Sequence, residues 1–121
     1  MAGGEVIVRR IADAIAYAEG FYVSGSRPQR NNNPGDLTRD ITGTAIGNDG
    51  IYMVYGNAGD GWDALYQQVR LMFGGSSIYN SAMSIAEMAS HYTSTEQSAW
   101  AANVASRLGV SVDTPLSQIG A

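Results

Sequence analysis

The first apolar residues of the chain recur at the spacing of a helix. From Glu5 to Ala18 they are Ile7, Ile11, Ala14, Ile15 and Ala18. Apolar residues three and four positions apart form one stripe along a helix, and a glycine often ends it in the left-handed conformation. The pattern therefore predicts an amphipathic helix that stops at Gly20.

The pattern then changes to a polar loop followed by a hairpin. Residues Ser24 to Asp36 are mostly polar, and Asn33-Pro34-Gly35-Asp36 has the residue order of a type II turn, which predicts an ordered surface loop. Between Leu37 and Tyr55 the side chains alternate as they do in strands, and Asn48-Asp49-Gly50 offers a turn. One small β-hairpin is expected there.

Helical spacing returns in the second half of the chain. Asp60 is expected to start a helix that carries its apolar face to Gly74-Gly75, and Ser84-Ile85-Ala86-Glu87 has the form of a capping box for a short helix ending at about His91 or Tyr92. A last long helix should begin near Thr95 and end at Gly109, with one more turn after Pro115. The fold class predicted from these patterns is mainly α, with one small hairpin inserted after the first helix.

Composition and charge limit the classes of function. The 121 residues fit one domain spanning residues 1–121, and 45% hydrophobic residues are enough for a core. Seven basic against eleven acidic residues give a net charge of −4, which argues against nucleic acid as a partner. The absence of cysteine excludes disulfides and thiolate chemistry. His91, alone and without an acidic cluster, is a poor metal ligand, so we expect it to be structural.

The sequence shows no targeting or membrane segment. Met1 to Glu5 lacks a basic region followed by a long apolar stretch, and no segment reaches the length of a membrane span. We therefore expect a monomer that does not insert into membranes, with any export taking another route.

Glu19 is the candidate for acid–base chemistry. It lies four residues after Ile15 on the buried row and in the last helical turn, where the helix dipole disfavours negative charge. Partial burial and the dipole both raise the pKa of a carboxyl, which makes Glu19 a competent general acid. The same spacing also allows a glutamate that reaches solvent or pairs with Arg27 or Arg30.

The chain resembles the small phage and bacterial cell-wall hydrolases of the lysozyme superfamily. The resemblance rests on Ala18-Glu19-Gly20-Phe21, then Asn31-Asn32-Asn33-Pro34-Gly35-Asp36-Leu37, then Asp60-Gly61-Trp62-Asp63-Ala64-Leu65, and finally Asn103 to Leu116. It covers nearly the whole chain, and the order of these pieces carries more weight than any one of them.

The resemblance implies a lysozyme-like α+β fold in which Glu19 faces a cleft walled by the hairpin. In such enzymes the glutamate protonates the glycosidic oxygen between N-acetylmuramic acid and N-acetylglucosamine in peptidoglycan glycan strands, without metal or cofactor. Lytic transglycosylases share the fold and use the glutamate alone. A non-catalytic wall-binding or virion structural module is the rival hypothesis, which the acidity favours because peptidoglycan is itself anionic.

The remaining site residues are weaker candidates. A hydrolase needs a second carboxylate, which Asp36, Asp40, Asp49 or Asp60 can supply; we favour Asp36, although an aspartate also simply closes a Pro-Gly turn. Asn32, Asn33 and Thr38 are candidates for sugar contacts, and the hairpin residues Tyr52 and Tyr55 for stacking. Tyr92 resembles in position a tyrosine that lytic transglycosylases place beside the substrate. The residues assigned to the core are Trp62, Tyr66, Phe73 and Trp100.

Overall fold

The computed structural model describes residues 2–74 and 78–119. Its elements, in chain order, are α1 Ala2–Glu19, α2 Arg27–Arg30, β1 Ala45–Asn48, β2 Met53–Tyr55, α3 Ala58–Phe73, α4 Ile85–Tyr92, α5 Gln97–Leu108 and a final 3-10 turn at Leu116–Gln118. The strands β1 and β2 pair antiparallel in a two-stranded sheet. The described part of the chain is therefore mainly helical with one hairpin after the first helix, as predicted.

Helix α1 lies at the centre of the core. Its buried face, with Ile11 and Ile15 fully buried, packs against α3 and α5. Gly20 adopts a φ of 83°, and its N–H donates to the carbonyl of Tyr17 while that of Phe21 donates to Ala16. These two bonds form a Schellman end. The predicted helix end is confirmed, and Glu19 is the last helical residue.

Helix α3 begins earlier than its apolar pattern indicates. Asn57, not Asp60, is the N-cap, because the Asn57 side chain accepts a hydrogen bond of 2.9 Å from the Asp60 N–H. The first turn holds Ala58 and Gly59, which carry no apolar spacing, so the pattern becomes visible only afterwards. Gly74 caps the end, while Gly75 lies outside the described residues.

The predicted apolar face of α3 is confirmed by burial. Leu65, Val69 and Met72 are fully buried, whereas Trp62 and Phe73 are half-buried and pack on the core. Trp62 also contacts the rings of Phe21 and Tyr66, with centroid separations of 5.4 Å and 5.8 Å. The assignment of these aromatic residues to packing is thus supported.

Leu65→Ala is expected to destabilise the protein by about 2–5 kcal/mol, because it leaves a cavity at a fully buried position. Urea unfolding checks this, with Ile46→Ala as the control. Since Ile46 is 72% exposed, its truncation should change the free energy of unfolding by less than about 0.5 kcal/mol. Equal effects of the two substitutions would contradict the orientation of α3.

The loop after α1 differs from its prediction in two ways. It contains the short helix α2, begun by Ser26, and its later part is buried rather than on the surface, with Asn33 and Pro34 fully buried. Asn33 and Asp36 do form a turn, with a hydrogen bond of 3.1 Å between the Asp36 N–H and the Asn33 carbonyl. The type II prediction is wrong, however, because Gly35 lacks the positive φ that this turn requires.

Gly35 is required for space rather than for backbone conformation. A Cβ atom on this residue would lie 2.7 Å from Leu65 Cδ1 and 2.8 Å from the Tyr92 hydroxyl. The loop therefore packs directly on α3 and α4 at this point. That contact holds the neighbouring residue Asp36 at the end of the turn.

The loop is tied to the hairpin by main-chain hydrogen bonds. The N–H of Tyr55 donates to Asn31 and that of Met53 donates to Leu37, both at 2.9 Å. Leu37 and Tyr55 form a small second core with Ala64 of α3. Tyr55 is only 1% exposed, so its predicted role as a stacking platform for sugar is wrong.

Helices α4 and α5 complete the core on the other side of α1. Ser84 and Glu87 form the predicted capping box, and Gly109 ends α5 with a φ of 73°. Tyr92, the last residue of α4, stacks on Trp100 of α5 with ring centroids 4.9 Å apart. None of the helices in the ranges given above combines the length and apolar character that crossing a bilayer needs.

Candidate active site

Glu19 is half-buried where α1, the loop, the hairpin and the last two helices meet. The negative charge of Asp36 raises the pKa of Glu19, and a negative charge on Glu19 in turn raises the pKa of Tyr52 and Tyr92. These residues therefore lie within electrostatic range of Glu19. The hypothesis of an ion pair with Arg27 or Arg30 is wrong: Arg27 binds Asp49, and Arg30 donates to the carbonyl of Gly25. No basic residue stands in the last turn of α1.

Burial raises the pKa of Glu19 to about 8, and the negative charge of Asp36 adds to this effect. The indole N–H of Trp100 acts in the opposite direction, although it does not reach the geometry of a formed hydrogen bond: Trp100 Nε1 is buried without a partner among the described residues. Glu19 is thus protonated at neutral pH, which is the state that a general acid needs.

Asp36 occupies a strained position at the end of the turn. Its φ is 47°, which few non-glycine residues adopt, and its Oδ1 is buried without a hydrogen-bond partner among the described residues. Burial raises the pKa of Asp36 to about 6, while the positive charge of Arg27 lowers it. Strain and an unpaired buried oxygen are costly for stability, and such features concentrate at functional sites.

The other candidate carboxylates are engaged elsewhere. Asp49 closes the hairpin turn, where it accepts hydrogen bonds from Arg27 and Asn31 and from the N–H groups of Ile51 and Tyr52, and the Arg27 guanidinium holds its pKa well below the usual range. Asp40 accepts from the N–H of Ala45. Asp60 belongs to the first turn of α3. Asp36 alone of the four influences the pKa of Glu19.

Tyr92 links the turn to the last two helices. Its hydroxyl donates a hydrogen bond of 2.7 Å to the carbonyl of Gly35, next to Asp36. Burial raises the pKa of Tyr92 well above its usual value, and the nearby charges of Glu19 and Asp36 act in the same direction. Tyr92 therefore stays neutral and holds the turn against the end of α4.

Of the residues predicted to contact sugar, some are hydrogen-bonded within the protein and others are exposed. Asn33 is fully buried, and its amide binds the main chain of Leu37 and Met53, so it has a structural role. Asn32 donates to the carbonyl of Tyr55. Thr38 is exposed beside Asp36, and Tyr52 lies under the Arg27 guanidinium, 4.6 Å from its ring centroid.

A cavity of about 320 Å³ opens beside this group of residues. Asp36, Thr38 and Tyr92 are part of its wall, while Glu19 is not. The remaining wall comes from α3, from α4 and from the segment around Tyr79. The cavity differs from the cleft that the resemblance implies, because its wall includes neither Glu19 nor any residue of β1 or β2. Asp36, Thr38 and Tyr92 were predicted as site residues, whereas its residues from α3 and around Tyr79 come from segments that carry no motif.

The arrangement supplies a protonated carboxyl, Glu19, and a mostly ionised one, Asp36, of which only Asp36 lines the cavity. The described residues contain no cluster of acidic residues and His91 that could hold a metal ion. No protein-family model, curated protein or solved structure matches the chain.

Proposed function

We propose that the protein has a lysozyme-like fold and cleaves the β-1,4 glycosidic bond between N-acetylmuramic acid and N-acetylglucosamine in peptidoglycan. The observation that carries this proposal is the position of Glu19, half-buried at the end of α1 beside Asp36, Tyr52 and Tyr92. The ordered sequence resemblance to cell-wall hydrolases points to the same glutamate. Glu19 donates its proton to the leaving glycosidic oxygen.

The pKa values of the two carboxyls support different roles for them. With the pKa of Glu19 at about 8 and that of Asp36 at about 6, neutral pH leaves Glu19 protonated and Asp36 mostly ionised. Carboxyls whose environments separate their pKa values in this way serve as the acid and the base or nucleophile of a glycosidase. Asp36 would then activate water or stabilise the positive charge that develops on the sugar.

Clearing of turbid cell-wall suspensions by the purified protein tests the proposal. Mass spectrometry of the released muropeptides then separates the two enzyme classes, since reducing ends indicate hydrolysis and 1,6-anhydromuramic ends indicate a lytic transglycosylase. A non-catalytic wall-binding or virion module remains the second candidate, favoured by the net charge of −4. Binding to walls without any released product would support that module.

The activity is expected to depend on pH with a maximum between about 6 and 8. Hydrolysis requires ionised Asp36, so activity falls as pH drops through about 6, and it requires protonated Glu19, so activity falls as pH rises through about 8. Because the carboxyls interact, both limits belong to the pair. Initial clearing rates from pH 4 to pH 10 measure the profile.

Asp36→Asn distinguishes the two mechanisms within this profile. If the enzyme is a hydrolase, Asp36→Asn should lose most of its activity at every pH. If it is a transglycosylase, the variant should stay active, and its activity should still fall at alkaline pH. That fall should begin at a lower pH than in the parent, because Asp36 no longer raises the Glu19 pKa. Asp40→Asn, at an exposed aspartate of the same loop, is the control and should leave the profile unchanged. An activity that rises steadily above pH 9 would exclude Glu19 as the acid.

A further inference from the structure

The cavity beside Asp36 extends well beyond that carboxyl. Its far wall carries Arg39, Gln68 and Tyr79 among apolar residues such as Leu71 and Ile78. Proton donation by Glu19 uses none of these groups. A volume of about 320 Å³ lies within the range of ligand sites, and a few polar groups among apolar side chains are what such sites contain.

Arg39 differs from the other arginines of the chain. Arg27, Arg70 and Arg107 pair with carboxylates, Arg10 and Arg30 donate to main-chain carbonyls, and Arg9 lies over the ring of Tyr66. Within residues 2–74 and 78–119, the guanidinium of Arg39 has neither an ion pair nor a hydrogen bond nor a ring contact. Among the described residues, Arg39 is thus the arginine whose guanidinium has none of these contacts, and it lies exposed at the cavity wall.

Two further polar groups of the cavity wall are buried but not hydrogen-bonded. Gln68 is 7% exposed and Tyr79 is 9% exposed, and neither side chain has a hydrogen-bond partner in the part of the chain that the structure describes. Their polar atoms are nevertheless not sealed off, since neither is among the atoms without access to solvent. A largely buried amide and a largely buried hydroxyl in the wall of a cavity, both without a hydrogen-bond partner among the described residues, are suited to a ligand.

The charge on Arg39 reaches the hydroxyl of Tyr79. Burial raises the pKa of Tyr79 to about 12, and Arg39 acts against this rise. Tyr79 therefore remains a neutral hydrogen-bond donor in the same cavity wall as the Arg39 cation. A guanidinium and a hydroxyl donor in one cavity suit a carboxylate ligand, because guanidinium groups bind carboxylates through two parallel hydrogen bonds.

We propose that this part of the cavity binds the carboxylate-bearing substituent of N-acetylmuramic acid, with Arg39 on the carboxylate and with Gln68 and Tyr79 on adjacent polar groups. The inference rests on the proposed function and specifies its substrate, because chitin carries the same β-1,4 linkage but no such carboxylate. The carboxylate belongs either to the lactyl ether or to the peptide attached to it, and both present the same chemistry to Arg39.

Binding of three soluble ligands tests the inference. They are the N-acetylglucosaminyl-N-acetylmuramic acid disaccharide with its peptide, the same disaccharide without peptide and therefore with a free lactyl carboxylate, and diacetylchitobiose, which has no carboxylate. Calorimetric titration compares the full chain with Arg39→Gln. Arg30→Gln is the matched control, since it removes the same charge at an exposed arginine outside the cavity wall.

Arg39→Gln should raise the Kd of a carboxylate ligand by about 10-fold or more, which is typical of a lost charge-assisted hydrogen bond, and should leave diacetylchitobiose binding unchanged. An effect on the peptide ligand alone assigns the carboxylate to the peptide, and an effect on the peptide-free disaccharide alone assigns it to the lactyl group. An effect on both disaccharides shows that Arg39 accepts a carboxylate from either source. The inference is overturned if all three ligands bind alike, or if Arg39→Gln and Arg30→Gln have the same effect. Circular dichroism confirms that each variant is folded.

These results are separable from those that test cleavage. If the protein binds the carboxylate ligands through Arg39 but releases no product from walls, the proposed cleavage is refuted and the proposed binding site stands. If it digests walls but binds all three ligands equally, the proposed binding site is refuted and the proposed cleavage stands.

Discussion

Glu19→Gln is expected to lower wall clearing by at least about 100-fold, because glutamine cannot supply the proton that the leaving oxygen needs. The substitution keeps the size of the side chain and its place beside Trp100. Clearing rates measured at pH 7, where Glu19 is protonated, give the ratio. Glu5→Gln is the matched control at the other end of α1, since Glu5 is exposed and paired with Arg70.

The same variant should gain stability at high pH. The pKa of Glu19 is raised to about 8 in the folded protein from an ordinary value of 4.5, so the folded state binds the proton more tightly than the unfolded chain does. The contribution of the Glu19 carboxyl to the free energy of unfolding is therefore fully present below about pH 4.5. It is lost as the pH rises through about 8. Removing the carboxyl abolishes that loss.

Thermal unfolding at pH 5 and pH 8.5 measures this effect. We expect parent and Glu19→Gln to be close in stability at pH 5, and the variant to be more stable by roughly 3–5 kcal/mol at pH 8.5. Glu5→Gln should instead lose some stability, because it breaks the contact with Arg70. A Glu19→Gln protein that clears walls as fast as the parent, or unfolds far more easily at pH 8.5, would contradict the role of Glu19.

The helix ends show which parts of the fold the sequence can predict. Gly20, Gly109 and the pair Ser84 and Glu87 act through bonds within a few residues of themselves, so their patterns identified the ends correctly. The predicted start of α3 at Asp60 is wrong because Asn57 and Asp60 are both residue types that cap helices. Only the packing of the first turn decides which of the two is the N-cap. Local signals therefore predict helices better than they predict where each begins.

The site shows the limit of the same reasoning. Spacing and the helix dipole predicted a half-buried carboxyl of raised pKa at Glu19, since both follow from its position on one helix. The burial of Asn33, by contrast, depends on contacts with Leu37 and Met53. Whether Arg39 has an ion-pair partner among the described residues depends on where the acidic side chains of other segments lie. Such long-range arrangements leave no periodic trace in the sequence.

Gly61→Ala is expected to be strongly destabilising, because among the described glycines this one would bring its new Cβ atom closest to another atom. A Cβ atom at Gly61 would lie 1.7 Å from the carbonyl oxygen of Asn32 and 3.0 Å from Pro34 Cδ, so α3 touches the backbone of the loop there. Asn32 itself has a φ of 52° and is held by its bond to Tyr55. Neither α3 nor the loop can move apart without breaking these contacts.

The loss should be at least about 3 kcal/mol in urea unfolding, at the upper end of overpacking, with wall clearing reduced because the loop carries Asp36. Gly59→Ala, two residues earlier on the same helix, is the matched control. Its Cβ would meet only the N-cap oxygen of Asn57, at 3.2 Å, where a shift of a few tenths of an ångström suffices, so its stability should stay within about 1 kcal/mol of the parent. If both variants were equally stable, α3 would not approach the loop as closely as the structure has it, and Asp36 would lose the support that holds it beside Glu19.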